Sequence, residues 1–198
     1  MTSVKDFCKR HEACQDGYRW GLKYETMERV FAEGDDSGYI IWAVTREGVL
    51  SDRELRLFAC FCARQNWHLL TDDRSKRAIE TAERCANELA TDDDLADARA
   101  EASTAAWIAE KAAAKTAAWP TAKDAIRAAK RNAARAALWA TARNSAWAAA
   151  RDAARATAWA AAKASTWDAA WASARNAQVK WLRENTNPDF GAGLEESK

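Results

Sequence analysis

RNSAWAAARDAARATAWAAAKASTWDAAWASARNA, residues 143 to 177, sets a tryptophan or a cation at every fourth place of an alanine run. The pattern is longer than the quotation. From Ala105 to Asn176 the chain divides into 18 tetrads whose third places, 107 to 175, are all Trp, Lys or Arg. Seven are Trp (107, 119, 139, 147, 159, 167 and 171) and eleven are cations. Ala supplies 34 of the 72 residues, so the intrinsic preference for helix is close to its maximum.

Geometry decides what kind of helix. At about 100° per residue, a four-residue step overshoots one turn by about 40°, so on a single rod the stripe would circle the axis in about 36 residues. A rod would therefore show tryptophan to water on every side. The segment also divides into four units of 20 residues, 103–122, 123–142, 143–162 and 163–182. Trp holds the fifth place in three units (107, 147, 167) and the seventeenth in three (119, 139, 159), while Lys115, Arg135, Arg155 and Arg175 hold the thirteenth. If each unit is one helix of about 15 to 18 residues, the stripe stays on one broad face. Asp124, Asn144 and Ser165 then stand where N-caps are wanted, with a boundary near Trp119 and Pro120. Antiparallel hairpins in a helical bundle are the expected packing.

The remainder is also written for helices. No glycine falls between Gly48 and Gly191. Amphipathic runs are expected at 3–15, 22–33 and 37–46, with YIIWAV at 39–44 readable as a buried strand that would have no partner. Ser51-Asp-Arg-Glu54 is a capping box ahead of LRLFACFCARQNWHLL, and Thr71 and Thr91 each precede acids suited to a helix start. The expected fold is all-α, divided into an N-terminal helical region (1–50), a helical core (51–102), repeat helices (103–184) and a C-terminal tail (185–198).

Charge separates these parts. Residues 1–102 carry 15 cations and 21 acids, 103–182 carry 13 and 4, and the tail carries 2 and 4. The basic segment is expected to dock on acidic neighbours or to face an anion. No apolar stretch is long enough to span a bilayer, and MTSVKDFCKRHE has no hydrophobic core of a signal sequence, so a cytoplasmic location is expected. Five cysteines (8, 14, 60, 62 and 85) without disulfide-framework spacing fit reduced thiols.

Catalytic patterns are sparse. There is no glycine-rich phosphate loop, zinc-protease motif or nucleophile elbow. Cys8, His11 and Cys14 lack a fourth zinc ligand at a usual spacing, His68 has no nucleophile beside it, and Asp72, Asp73 and Asp92 to Asp94 suit helix starts. Neither enzyme activity nor a cofactor is expected. Two readings of the stripe remain open. The indoles can be core knobs between alanine-surfaced helices, with the cations snorkelling at the edges. Alternatively, indoles beside guanidinium groups can stack a ring and pair its phosphates. In that reading Trp139, Trp147, Trp159 and Trp167 stack the ring, and Arg135, Arg143, Arg151, Arg155 and Lys163 hold the anion.

Trp67, Leu69, Leu70, Thr71, Asp72, Arg74, Ser75, Arg77, Ala78, Ala82, Glu83 and Arg84 carry a resemblance. Residues 50–102 resemble a family of phage-borne and bacterial proteins in which a helix ending W-x-L-L-T-D-E-R-S precedes R-x-A-x-x-x-A-E-R and then Ala-, Trp- and Arg-rich repeats. They are distantly similar to helical immunity proteins of polymorphic toxin systems. The resemblance implies a non-enzymatic accessory protein of phage and host conflict, acting in the host cytoplasm, and it transfers no site residues. The expected function is sequestration of an anionic, nucleotide-like ligand such as a bacterial immune signal. The alternative is an immunity-like or structural module that presents the basic helices to a protein partner or, as a homo-oligomer, to itself. Non-specific nucleic-acid binding ranks below both, and no membrane partner is expected.

Overall fold

A computed structural model describes residues 1–114, 122–141, 145–161 and 164–192, with the side chains of all but 112–114, 122–124 and 164–165. The described residues contain helices and no strand. The chain divides into two compact units, one of Met1–Ser51 with Val179–Lys198 and one of Asp52–Gln178.

The first unit is built from short helices: α1 (Val4–Arg10), α2 (Gln15–Gly21), α3 (Met27–Glu33) and α4 (Ser37–Val44), with a 3-10 turn at Leu22–Tyr24. Each break has a local cause. The helix expected over 3–15 is two helices, because Glu12 takes a left-handed φ of 51° and Cys14 caps the next start by accepting from the Gly17 N–H. The helix expected from 22 begins instead at Met27, after Glu25 at φ 66° and a Thr26 cap that accepts from Arg29. YIIWAV is helical within α4, opened by Asp36 accepting from the Gly38 and Tyr39 N–H groups. Val4, Phe7, Met27, Val30, Ile40, Ile41, Val44, Leu182 and Phe190 form this unit's core. Arg183 donates to the Phe31 and Gly34 carbonyls at 2.7 and 2.9 Å, where the C-terminus of α3 favours a cation.

The second unit holds α5 (Asp52–Arg64), a 3-10 turn at Trp67–Leu69, α6 (Asp73–Ala86), α7 (Asp92–Ala114), α8 (Ala122–Ala140), α9 (Ala146–Ala160) and most of α10 (Ala164–Asn185). The N-cap of α6 is Asp72 rather than Thr71, its Oδ1 accepting from the Arg74 N–H at 3.0 Å. At α7 the expected cap is present: Thr91 Oγ1 accepts from the Asp94 N–H, and Asp94 Oδ2 accepts from the Thr91 N–H. The division expected at 102/103 falls inside α7.

The helices α8, α9 and α10 keep the spacing of the last three 20-residue units. Asp124 and Ser165 lie inside α8 and α10 rather than ahead of them, and the N-cap of α9 is Ser145; Asn144 lies outside the described residues. Neighbours in sequence pack as neighbours in space, α7 on α8 and α8 on α9, while α5 packs against α6, α8 and α9.

The repeat packs through its alanines. Ala149, Ala150, Ala153, Ala154 and Ala156 of α9 are wholly inaccessible, as are Ala129, Ala133, Ala136 and Ala137 of α8. The described tryptophans of the repeat are less completely buried than these alanines. Trp107 is exposed, and Trp139, Trp147, Trp159, Trp167 and Trp171 are half-buried. Methyl-surfaced helices approach closely, and the indoles keep part of their surface open to solvent. The bulky part of this core comes from Leu55, Phe58, Cys62, Leu70 and Ile79 on the earlier helices.

Two buried amides complete the packing on α9. Asn66 donates to the Ala153 carbonyl at 2.9 Å and accepts from Thr157 Oγ1 at 3.2 Å. Gln178, fully buried on α10, donates to the Ala150 carbonyl at 3.0 Å and to Gln65 Oε1 at 3.1 Å.

Candidate functional site

The shared phase of tryptophan and cation has a direct structural result. Residues four apart on a helix are neighbours, so consecutive third places stack. Arg151 lies over the Trp147 ring at 4.9 Å, Lys111 over Trp107 at 5.4 Å and Arg175 over Trp171 at 5.7 Å. Trp167 and Trp171 stack on each other at 5.4 Å with planes 8° apart. At exposed sites each cation–π pair contributes about 0.5–1 kcal/mol. The stripe is a set of short ladders along the helices.

On α8 and α9 the ladders meet at one carboxylate. Asp152 is 1% exposed, and its Oδ2 accepts from Trp139 Nε1 at 3.0 Å and from Arg135 Nε at 3.2 Å. Its Oδ1 faces Arg151 Nε at 3.6 Å and an Arg155 terminal nitrogen at 3.9 Å. These last two distances are charge contacts rather than hydrogen bonds. Three guanidinium groups therefore surround one carboxylate, an excess of two positive charges. Their side chains are 34%, 30% and 48% exposed for Arg135, Arg151 and Arg155, so outward N–H groups reach solvent.

Five of the nine expected ligand-binding residues belong to this cluster: Arg135, Trp139, Arg151 and Arg155 directly, and Trp147 through its stack with Arg151. Trp159 shares no hydrogen bond or ring contact with it, and Trp167 belongs to the separate ladder on α10. Arg143 and Lys163 lie outside the described residues.

Asp152 is the member that the stripe alone does not single out. Its signal is nonetheless in the sequence, since it is the lone acid between Asp124 and Asp168. A single carboxylate in a strongly basic alanine run is the natural counter-charge for that run. The acidic first half is thus not what neutralises Arg135, Arg151 and Arg155.

The cysteines are arranged as isolated thiols. Burial pushes Cys60 up to about 12 and Cys62 well above the ordinary thiol range, so neither is a thiolate nucleophile at neutral pH. Among the described residues no three His, Cys, Asp or Glu side chains gather to hold a metal ion. A maleimide added to the native protein near neutral pH is expected to label exposed Cys14 and to reach Cys60 and Cys62 only after denaturation. Mass spectrometry of the labelled peptides checks this, and rapid native labelling of Cys62 would contradict the burial of α5.

Comparison with family models, with curated proteins and with solved structures gave no match.

Proposed function

We propose that this protein is a binding module, without catalytic chemistry of its own, for an anionic ligand that carries a flat ring, of the nucleotide class. One observation carries the reading: three part-exposed guanidinium groups surround a single buried carboxylate and leave two positive charges uncompensated beside half-buried indoles. Such an excess suits a phosphate monoester or diester, because guanidinium pairs phosphate oxygens in bidentate fashion. In this reading the Trp147 and Trp139 rings give the ring of the ligand an apolar wall. Sequestration of a signalling nucleotide is the use we propose for such a site, and the resemblance of residues 50–102 supports it.

Titration with a panel of cyclic mononucleotides, cyclic dinucleotides and ADP-ribose tests the reading by calorimetry and thermal shift, with adenosine and inorganic phosphate as controls. At least one nucleotide is expected to bind more tightly than either control, with affinity reduced about tenfold or more by Arg151→Gln or Arg155→Gln. Absence of saturable binding across the panel, or binding unchanged in both variants, would overturn it.

Exposed Trp107, with Lys111 over its ring, favours a second reading as a module that presents a basic indole face to a protein partner. Capture of one stoichiometric partner that survives added nucleotide and is lost in Trp107→Ala distinguishes it.

A further inference from the structure

Helix α7 turns one long side outward. Asp93, Asp97, Ala100, Thr104, Trp107 and Lys111 stand within about 40° of one line along it, and all six are exposed. Leu95, Ala102, Ala105 and Ala106, on the opposite side, are buried. Trp107 is 60% exposed, and an indole open on an outward helix face marks a surface for a partner to cover. We propose that the partner is a second copy of this chain, with α7 packed antiparallel on its counterpart about a two-fold axis near residue 102. The proposal rests on the reading of Trp107 as a docking face and names what docks there.

Charge selects both the partner and its direction. The face carries two acids, Asp93 and Asp97, toward one end and one cation, Lys111, toward the other. None of the three has an ion pair among the described residues, and the Lys111 ammonium lies over the Trp107 ring at 5.4 Å. The other charges of α7 stand aside: Asp92, Asp94 and Glu110 about 100° from the line, Arg99 about 120°, and Glu101 about 80°. Glu101 is held by Arg77 at 2.8 Å. A parallel pairing of two copies would set acids against acids. The antiparallel one sets Lys111 opposite Asp93 and Trp107 opposite Asp97, with Ala96 and Ala100 as the floor under the ring. Asp97 then accepts the indole N–H, the pairing that Trp139 Nε1 makes with Asp152 at 3.0 Å. Asp93, Ala100 and Trp107 recur every seven residues, as do Asp97, Thr104 and Lys111, the interval that keeps two helices in contact. From Asp93 to Lys111 the face is about 27 Å long. Two such faces bury on the order of 1,000 Å2, at the low end of specific interfaces, which suits a reversible dimer.

Sedimentation equilibrium of the full chain from about 1 to about 500 µM reads the association. A monomer–dimer equilibrium with a midpoint in the micromolar range is expected. Trp107→Ala is expected to weaken it about tenfold or more. Lys111→Glu and Asp93→Lys each set like charges opposite one another, so each variant alone is expected to be monomeric. An equimolar mixture of the two restores unlike charges at both ends and is expected to dimerise about as the parent does. All three positions are exposed, and circular dichroism melting confirms that each variant keeps the fold. The proposal is overturned by a monomer at every concentration, by an assembly larger than a dimer, by association unchanged in Trp107→Ala, or by a folded mixture that stays monomeric. A monomeric chain that captures an unlike protein through Trp107 overturns it too, while leaving the docking reading of Trp107 in place. The nucleotide panel reads α8 and α9, so its outcome is independent of these.

Discussion

Asp152→Ala is expected to destabilise the protein by about 1–3 kcal/mol, the cost of leaving an indole N–H without its acceptor and part-exposed guanidinium groups without their counter-charge. Trp139 Nε1 loses its acceptor, and Arg135, Arg151 and Arg155 remain converged with nothing between them. For a domain whose total stability is about 5–15 kcal/mol, that is a large fraction. Asp152→Asn retains an oxygen for the indole and is expected to cost less, because only the charge is lost. Replacing Asp152 together with its hydrogen-bonded arginine, as Arg135→Met with Asp152→Leu, leaves the part-exposed Arg151 and Arg155 and is expected to recover part of the loss, since an apolar pair of similar volume avoids the desolvation of buried charge. Urea unfolding followed by tryptophan emission reads all three. A loss below about 1 kcal/mol for Asp152→Ala would show that the carboxylate is incidental to α8–α9 packing. The same site gives a signature that a purely structural clamp lacks: in Asp152→Asn stability falls while affinity for a nucleotide anion rises, because the excess charge grows from two to three.

Different layers of the fold were legible to different degrees. Helix class and the three-helix division of 123–182 follow from alanine content and from the 40° drift of a four-residue step, both properties of the backbone. Helix ends were less legible, because the chain stops helices by devices with weak sequence signatures. Glu12 and Glu25 adopt left-handed φ without being glycine or asparagine, and the cap of α6 is Asp72, one place after the threonine that also fits the pattern. The site residues were visible as a stripe, but their grouping was not. Arg135 and Trp139 sit 17 and 13 residues from Asp152, a pairing made by packing of α8 on α9 rather than by spacing along one helix. Burial divides the run in a way that side-chain size does not predict: the alanines facing α8 and α9 are wholly buried, whereas the indoles keep part of their surface exposed.

That inversion makes the alanines of α9 unequal in a way their repetition conceals. Ala153 is wholly buried, its carbonyl receives Asn66, and α5 and α8 both pack on its helix, so Ala153→Leu must push apart a surface that has no spare volume. Overpacking of this kind costs about 1–3 kcal/mol, and displacement of the buried Asn66 amide adds about 1–3 kcal/mol for a polar group left without its partner. The expected loss is about 2–6 kcal/mol, although leucine is nearly as good a helix former as alanine. Ala160→Leu, seven residues later on the same helix and exposed, is expected to change stability by no more than about 0.5 kcal/mol. Ala153→Gly, which adds no volume, is expected to cost about 1 kcal/mol through helix propensity, with a further contribution from the lost methyl contacts. Equilibrium unfolding of the three variants ranks them. If Ala153→Leu and Ala160→Leu proved equally mild, α9 would not be the packed centre of the unit. The ranking therefore tests whether helix proximity, rather than composition, turns a low-complexity alanine run into a core.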